Sequence, residues 1–234
     1  IYHGNHILPG AAEFIHWLQD THKEYLFLTN NSGMTPRELH QKLWRMGLDV
    51  PEEHFYTSAL ATAAFLADQA PGCSVYALGE AGLLNALYDR GITMNDVNPD
   101  YVVIGEARAY SLDTLTKATN LVLAGAKLIG ANSDTCGPTD EGIAPACRAL
   151  TAPVEIATDQ PPTVWICERM SSTHSGTTRK VMNLRIVLMP LFRSDTVFLY
   201  TLACAVRVAA YPCSPTAVTR ASAMPETAVD PENT

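Results

Sequence analysis

The sequence has 234 residues, of which 47% are hydrophobic, with a formal net charge of −8 and a mean hydropathy of +0.02. This composition is typical of a globular protein with enough apolar residues for one large or two small cores. The acidic excess excludes a general nucleic-acid binder, because phosphate backbones require a basic stripe and none occurs. The apolar run 196–206 has 11 residues, too few to cross a membrane.

The six cysteines form no CxxC pair and have no histidine at the spacing of zinc ligands. No basic segment followed by an apolar run opens the chain, as a secretion signal would. We therefore expect thiols in a reducing cytoplasm rather than a disulfide framework. Residue 1 is Ile rather than Met, so we also expect the chain to be a fragment.

Residues 1–160 alternate strand-like and helix-like segments, which predicts an α/β layered fold. After Pro9-Gly10, the apolar side chains Phe14, Ile15 and Leu18 share one helical face. The apolar run 25–28 is typical of a buried parallel strand. It ends in the turn-forming sequence Thr29-Asn30-Asn31-Ser32-Gly33.

The next helix is predicted from its capping signals. Thr35-Pro36-Arg37-Glu38 has the pattern of a capping box with proline at the first helical position. Leu39, Leu43 and Met46 continue one face, and Gly47 stands where a glycine ends a helix.

The remaining elements come in a second strand–helix series. Pro71-Gly72 predicts a hinge between two α/β modules, with one continuous sheet as the alternative. The predicted helices are 58–69, 83–90 and 112–124, and the predicted strands are 74–78, 101–105 and 127–131.

The loop that follows the strand 25–28 is the first candidate site. Ligands of open α/β sheets bind outside the carboxyl ends of the strands. The hydroxyl of Thr29, the amides of Asn30 and Asn31, and a free run of backbone N–H groups could hold an anion such as phosphate. An ordinary turn has the same residue types, so the loop alone leaves both interpretations open.

Several segments in a fixed order make the chain resemble a known family. They are Leu28-Thr29-Asn30-Asn31-Ser32, Phe55-Tyr56-Thr57-Ser58-Ala59, Tyr101-Val102-Val103-Ile104-Gly105-Glu106, Gly130-Ala131-Asn132-Ser133-Asp134 and Gly142-Ile143-Ala144-Pro145-Ala146-Cys147. Over residues 1–160 the sequence resembles the NagD-type phosphatases of the haloacid dehalogenase superfamily, subclass IIA.

The resemblance implies an α/β fold with a three-layer Rossmann-like core, incomplete here, and an inserted α/β cap. The implied limits are 1–70 for the N-terminal part of the core and 71–160 for the cap. Residues 161–234 then form an unmatched tail in place of the C-terminal part of the core.

The implied reaction is the hydrolysis of a phosphomonoester through a covalent aspartyl-phosphate, with Mg²⁺ as cofactor. Thr29 and Asn30 match the residues that orient the phosphoryl group. Asn31, Asn132 and Asp134 are the implied substrate-binding residues, although Asp134 fits an ordinary turn equally well. The implied substrate is a small phosphorylated metabolite, a nucleoside monophosphate or a sugar phosphate, with no nucleic-acid or membrane partner.

The chain also departs from the family. The motif Asp-x-Asp-Gly, which carries the nucleophile and the acid/base, is absent, and Ile1-Tyr2-His3-Gly4 resembles the residues that follow it. Gly-Lys-Pro and the metal-binding Gly-Asp are also absent, with Lys180 and Asp195 the nearest residues by type. Residues 1–160 hold 19 acidic and 9 basic residues, whereas 161–234 hold 5 and 7. We therefore expect a frameshifted or aberrant tail, no aspartate ligands for Mg²⁺, and an inactive polypeptide.

Three hypotheses follow. The first is a phosphatase by descent that is inactive as given, and the second is a non-catalytic protein that binds a phosphate ligand with a degenerate version of this fold. The third, an unrelated nucleotide-binding α/β domain, is disfavoured because neither a P-loop nor GxGxxG occurs.

Overall fold

The computed structural model describes residues 1–139 and 141–166. Within them the helices are α1 (Ala11–Asp20), α2 (Pro36–Arg45), α3 (Ser58–Gln69), α4 (Ala81–Asp89), α5 (Leu112–Leu123) and α6 (Cys147–Thr158). The strands are β1 (Tyr2–His3), β2 (His6–Ile7), β3 (Phe27–Thr29), β4 (Phe55–Thr57), β5 (Ser74–Leu78), β6 (Thr93–Met94), β7 (Tyr101–Ile104), β8 (Lys127–Gly130), β9 (Cys136–Thr139), β10 (Gly142–Pro145) and β11 (Val164–Trp165). The predicted tail, apart from its first six residues, lies outside the described residues.

The first sheet consists of β3 and β4, which pair in parallel so that Thr29 is opposite Thr57. Helices α1 and α2 pack against it and bury Ile15 and Leu43 completely. Helix α2 is amphipathic because its apolar residues recur at helical spacing, and its polar residues face solvent.

One feature of β3 differs from the prediction of a buried strand. Leu28, in the middle of β3, is 58% exposed. Successive side chains of a strand point to opposite faces. On the face that carries Leu28, its neighbour Tyr56 packs against the core formed by α3 and α4, whereas Leu28 itself stays exposed. Phe27 points the other way and packs with Phe55 in the core.

The second sheet has five parallel strands in the order β11-β8-β7-β5-β6. Its side chains alternate between two cores, as the two-residue period of a strand requires. Val103 and Ile129 face α3 and α4, whereas Val102 and Leu128 face α5 and α6. The result is three layers, helix–sheet–helix, with crossover helices between parallel strands.

The two sheets are separate, and β3–β4 shares no strand with the second sheet. Strand β11 (Val164–Trp165) adds the outermost strand of the second sheet beside β8. Helix α3 packs against the second sheet, although its sequence lies before Pro71-Gly72. The domain limits at 70 and 160 stay a prediction.

The capping box at the start of α2 is formed as predicted. The Thr35 hydroxyl accepts the Glu38 N–H at 3.2 Å, and the Glu38 carboxylate accepts the Thr35 N–H at 2.7 Å. Gly47 follows the helix with φ +87°, a conformation that glycine adopts without steric cost.

We expect Thr35→Ala to lower the free energy of unfolding by about 1 kcal/mol, because it removes a cap that satisfies an N–H of the first turn. The control is Thr116→Ala, the same change at an exposed position inside α5, where alanine favours the helix. Urea unfolding followed by circular dichroism measures both. Equal effects of the two substitutions would contradict the role of the cap.

Candidate functional site

Thr29 is the last residue of β3, at the carboxyl edge of the first sheet. The chain then enters a loop, residues 30–34, that ends at the cap of α2. This is the edge at which ligands bind in open α/β sheets. Thr29 therefore lies where the sequence predicted it.

The backbone of this loop is largely satisfied by its own side chains. The Thr29 hydroxyl accepts the Asn31 N–H at 3.2 Å, and the Asn31 side-chain oxygen accepts the Met34 N–H at 2.7 Å. The Ser32 N–H is also bonded, to Glu106 at 3.1 Å. The expected run of free N–H groups is therefore wrong, because short polar side chains fold back onto the backbone.

Two side-chain donors of the loop have no partner among the described residues. The Thr29 oxygen accepts from Asn31, which leaves the hydroxyl hydrogen free to donate elsewhere. The Asn31 oxygen is used by Met34, which fixes the amide so that its NH₂ group is the free end. Both residues are half-buried, so both donors remain within reach of a ligand.

Asn30 contacts two other residues that the sequence singled out. Its side-chain NH₂ donates to the Asp134 carboxylate at 2.8 Å. Its carbonyl accepts from the Asn132 NH₂ and from the Ser58 hydroxyl, each at 2.7 Å. The structure thus brings Asn30 into contact with Asn132 and Asp134, which lie more than a hundred residues further along the chain.

Asn132 is completely buried and lies behind the loop. Its NH₂ group also approaches Glu106 at 3.3 Å, and its oxygen accepts the Asp134 N–H at 3.1 Å. Both the NH₂ group and the oxygen of this amide therefore have partners within the protein. Asp134 is only half-buried, and its carboxylate accepts from the NH₂ group of Asn30.

Sequence reasoning assigned no role to Ser32 and Glu106, which form a reciprocal pair. The Ser32 N–H donates to the Glu106 carboxylate at 3.1 Å, and the Glu106 N–H donates to the Ser32 hydroxyl at 2.7 Å. Burial raises the pKa of Glu106, and the Asp134 carboxylate adds to the increase, against hydrogen bonds from Ser32 and Asn132 that lower it. The available signal was a polar residue two positions after β7, because this is also a carboxyl end of a parallel strand.

Helix α4 and the second sheet approach the loop this closely because two positions are glycine, one on α4 and one directly after β7. A Cβ atom on Gly82 would lie 2.6 Å from the Met34 carbonyl oxygen, and one on Gly105 would lie 2.9 Å from the Ser32 hydroxyl oxygen. The Gly82 N–H also donates to the Gly33 carbonyl at 2.9 Å. Larger residues would separate the loop from the second sheet.

The described residues contain no group of three or more His, Cys, Asp or Glu side chains that could hold a metal ion. Nor does any helix among these residues have the length and apolar character needed to cross a membrane.

Two of the cysteines are buried free thiols, Cys73 and Cys147, in agreement with the prediction. Cys136 is disulfide-bonded, so the prediction is wrong for that residue, which lies half-exposed on the β9–β10 hairpin. Cys147 is at the start of α6, where a thiol could be a nucleophile. Burial instead raises its pKa to about 11, and its thiol donates to the Ile104 carbonyl at 3.1 Å.

We therefore expect Cys147 to resist alkylation by iodoacetamide at pH 8 in the native chain. With a pKa of about 11, only about one thiol in a thousand is ionised at that pH, and the sulfur is inaccessible. Peptide mass spectrometry after native and urea-denatured labelling measures this. Equal labelling of Cys147 in both states would show that the thiol is reactive.

Comparison with known proteins places this geometry in a family. Residues 1–93 match the model of the haloacid dehalogenase-like hydrolases. The dihydroxyacetone phosphatase of Corynebacterium glutamicum (strain R) is 44% identical over 156 residues, which cover 67% of this chain and 57% of that protein. The ribonucleotide monophosphatase NagD of Escherichia coli (strain K12) is 44% identical over 155 residues, 66% of this chain and 60% of that protein.

Solved structures agree with these relatives. NagD from E. coli K-12 aligns with a TM-score of 0.65 at 42% identity, over 70% of this chain and 64% of that one. The 4-nitrophenylphosphatase of Thermotoga maritima aligns with a TM-score of 0.67 at 30% identity, over 70% of this chain and 63% of that one. These neighbours confirm the predicted fold class, a Rossmann-like α/β core with a cap.

The chain spans about three fifths of the length of the curated relatives that it matches. The matched part carries the Thr29 loop at the end of β3 and the residues of the second sheet that contact it. Over that part, the chain belongs to the NagD-type branch of the haloacid dehalogenase superfamily of hydrolases.

Proposed function

We propose that the described part of the chain is the phosphoryl-binding and substrate-facing part of a phosphomonoester hydrolase. The observation that carries this proposal is the position of Thr29 at the carboxyl end of β3, with its oxygen accepting the Asn31 N–H. That hydrogen bond orients the hydroxyl, so its hydrogen can donate to a phosphoryl oxygen. The relatives that share this segment are phosphatases by name.

The two free donors of the loop have a defined task in this proposal. The Thr29 hydroxyl and the Asn31 NH₂ group donate to oxygens of the phosphoryl group and hold it at the sheet edge. Donors that are already oriented lose little entropy when the ligand binds. Asn30 acts beside them, with its NH₂ group fixed on Asp134.

The substrate in this proposal is a nucleoside monophosphate or a small sugar phosphate. Similar proteins carry the names dihydroxyacetone phosphatase, ribonucleotide monophosphatase and acid sugar phosphatase. Asp134 is half-buried at the mouth of the site, where its carboxylate can accept hydrogen bonds from substrate hydroxyls. Asn132 supports it from behind through the Asp134 N–H.

The family reaction requires a carboxylate nucleophile, a second carboxylate as acid/base, and Mg²⁺. The 234 residues contain no Asp-x-Asp-Gly sequence, and the described residues hold no metal-binding cluster. The lack of a nucleophile motif favours a second candidate function for a polypeptide of residues 1–234. This function is the binding of a phosphate ligand without its hydrolysis. Both candidates require the loop to bind phosphate.

Titration of the ¹⁵N-labelled chain with orthophosphate tests this requirement. We expect amide resonances of residues 29–33 to shift with saturation, and the shift to be lost in Thr29→Val, which removes the hydroxyl and keeps the shape. Thr139→Val, the same change on the exposed strand β9, is the control and is expected to bind as the wild type does. Absence of a saturable shift in the wild type would refute the proposed function.

A further inference from the structure

We propose that Glu106 is a positioning residue that sets the conformation of the Thr29 loop from the second sheet. The inference rests on the proposed function, since positioning matters to a reaction only if the loop holds a phosphoryl group. It assigns a task to a half-buried carboxylate that has no part in the binding scheme above.

Both oxygens of the Glu106 carboxylate face donors. Oε2 accepts the Ser32 N–H at 3.1 Å, and Oε1 accepts the Asn132 NH₂ group at 3.3 Å. The Glu106 N–H returns a hydrogen bond to the Ser32 hydroxyl at 2.7 Å. Ser32 and Asn132 are both completely buried, so water does not replace these contacts.

These contacts flank Thr29 on two sides. Asn132 also donates to the carbonyl of Asn30, the residue directly after Thr29. Ser32 directly follows Asn31, whose N–H donates to the Thr29 hydroxyl. Glu106 therefore restrains both the backbone that follows Thr29 and the residue that orients its hydroxyl.

The geometry requires a carboxylate at this position. The Ser32 N–H and the Asn132 NH₂ group each donate to one of the two carboxylate oxygens. Glutamine of the same shape would place its own NH₂ group against one of these two donors. Burying a carboxylate costs stability, and burial does raise the pKa of Glu106. Because residue 105 is glycine, the backbone comes close enough to the loop for the Glu106 carboxylate to contact it.

The test compares Glu106→Gln with a matched control, Asp100→Asn, in the full chain. Asp100 accepts the Ser74 N–H and hydroxyl at 2.8 and 2.9 Å in a similar arrangement, but before β7 rather than after it. The first readout is hydrogen exchange of the Ser32 amide, and the second is the orthophosphate titration of the Thr29 amide. Both readouts are taken only from variants whose circular dichroism spectrum shows an intact fold.

For Glu106→Gln we expect the Ser32 amide to exchange about tenfold faster or more, and orthophosphate to bind about tenfold more weakly or more. The reason is that the substitution removes a hydrogen bond to a charged group. For Asp100→Asn we expect both to stay within about twofold of the wild type, because an exposed side chain away from the loop contributes little to it. If the Ser32 exchange rate and the orthophosphate affinity of Glu106→Gln both equal those of the wild type, the inference is overturned and the proposed function is left intact.

Two further outcomes are decisive. If the wild-type chain does not respond to orthophosphate, the proposed function fails, and Ser32 exchange still decides whether Glu106 fixes the loop. If Glu106→Gln does not fold, Glu106→Asp replaces it, since it keeps the charge but withdraws both carboxylate oxygens from the Ser32 N–H and the Asn132 NH₂ group by one methylene. Unchanged Ser32 exchange and unchanged phosphate binding in Glu106→Asp would then overturn the inference.

Discussion

A polypeptide of residues 1–234 is expected to hydrolyse no phosphomonoester above the uncatalysed rate. The covalent mechanism needs an aspartate that attacks phosphorus, and the sequence contains no Asp-x-Asp-Gly motif. Thr29 and Asn31 can orient a phosphoryl group, but neither supplies a nucleophile. The expected loss relative to an intact enzyme is at least about a millionfold, the lower end of enzymatic rate enhancements.

Hydrolysis of 4-nitrophenyl phosphate with Mg²⁺ measures this prediction. The purified chain, Thr29→Ala and buffer alone should give the same rate. A contaminating phosphatase would act equally in both protein samples, so Thr29→Ala serves as the control. Mg²⁺-dependent turnover that disappears in Thr29→Ala would contradict the prediction.

The second large effect concerns the first core. Leu43 on α2 is fully buried against the first sheet, in a core that includes Ile15 and Phe55. We expect Leu43→Ala to lower the free energy of unfolding by about 2–5 kcal/mol, because it removes buried apolar contacts and leaves a cavity.

The matched control is its neighbour Trp44, which is 60% exposed on the same helix. Trp44→Ala removes a larger side chain but little buried area, so a loss of about 1 kcal/mol or less is expected. Urea unfolding of both variants, compared with the wild type, is the measurement. A greater loss for Trp44→Ala would show that α2 presents its other face to the core.

Much of the fold could be predicted because local signals and burial agree. The capping box at Thr35 and the glycine at Gly47 predicted α2, which begins one residue after Thr35 and ends two residues before Gly47. Helix α3 and strand β5 have the predicted bounds. These elements combine strong turn signals with a clear hydrophobic periodicity, so tertiary contacts did not override the local preferences of the sequence.

The errors occur where contacts with distant residues decide the outcome. The exposure of Leu28 depends on which elements cover β3, and a short apolar run contains no information about that. The loop after β3 was expected to present free N–H groups, but Asn31 and Glu106 occupy them. Side chains that fold back onto the backbone look the same in sequence as side chains that bind a ligand.

The candidate site was only partly predictable for the same reason. Thr29 could be placed because the carboxyl end of a parallel strand is a general ligand position. The clustering of Asn30, Asn132 and Asp134 was implied by resemblance alone, since residues so far apart share no local pattern. The role of Glu106 was missed because it depends on a contact with Ser32, which is 74 residues away along the chain.

We propose above that the matched part of this chain binds the phosphoryl group of a phosphatase substrate. A chimera in which residues 1–160 replace their counterparts in E. coli NagD, which is 44% identical over 155 residues, allows this role to be measured. The bacterial protein then supplies the first motif and the C-terminal part of the core. We expect a folded chimera that hydrolyses a small phosphomonoester with Mg²⁺ and loses that activity in Thr29→Ala. A folded chimera without activity, or one whose activity survives Thr29→Ala, would contradict it.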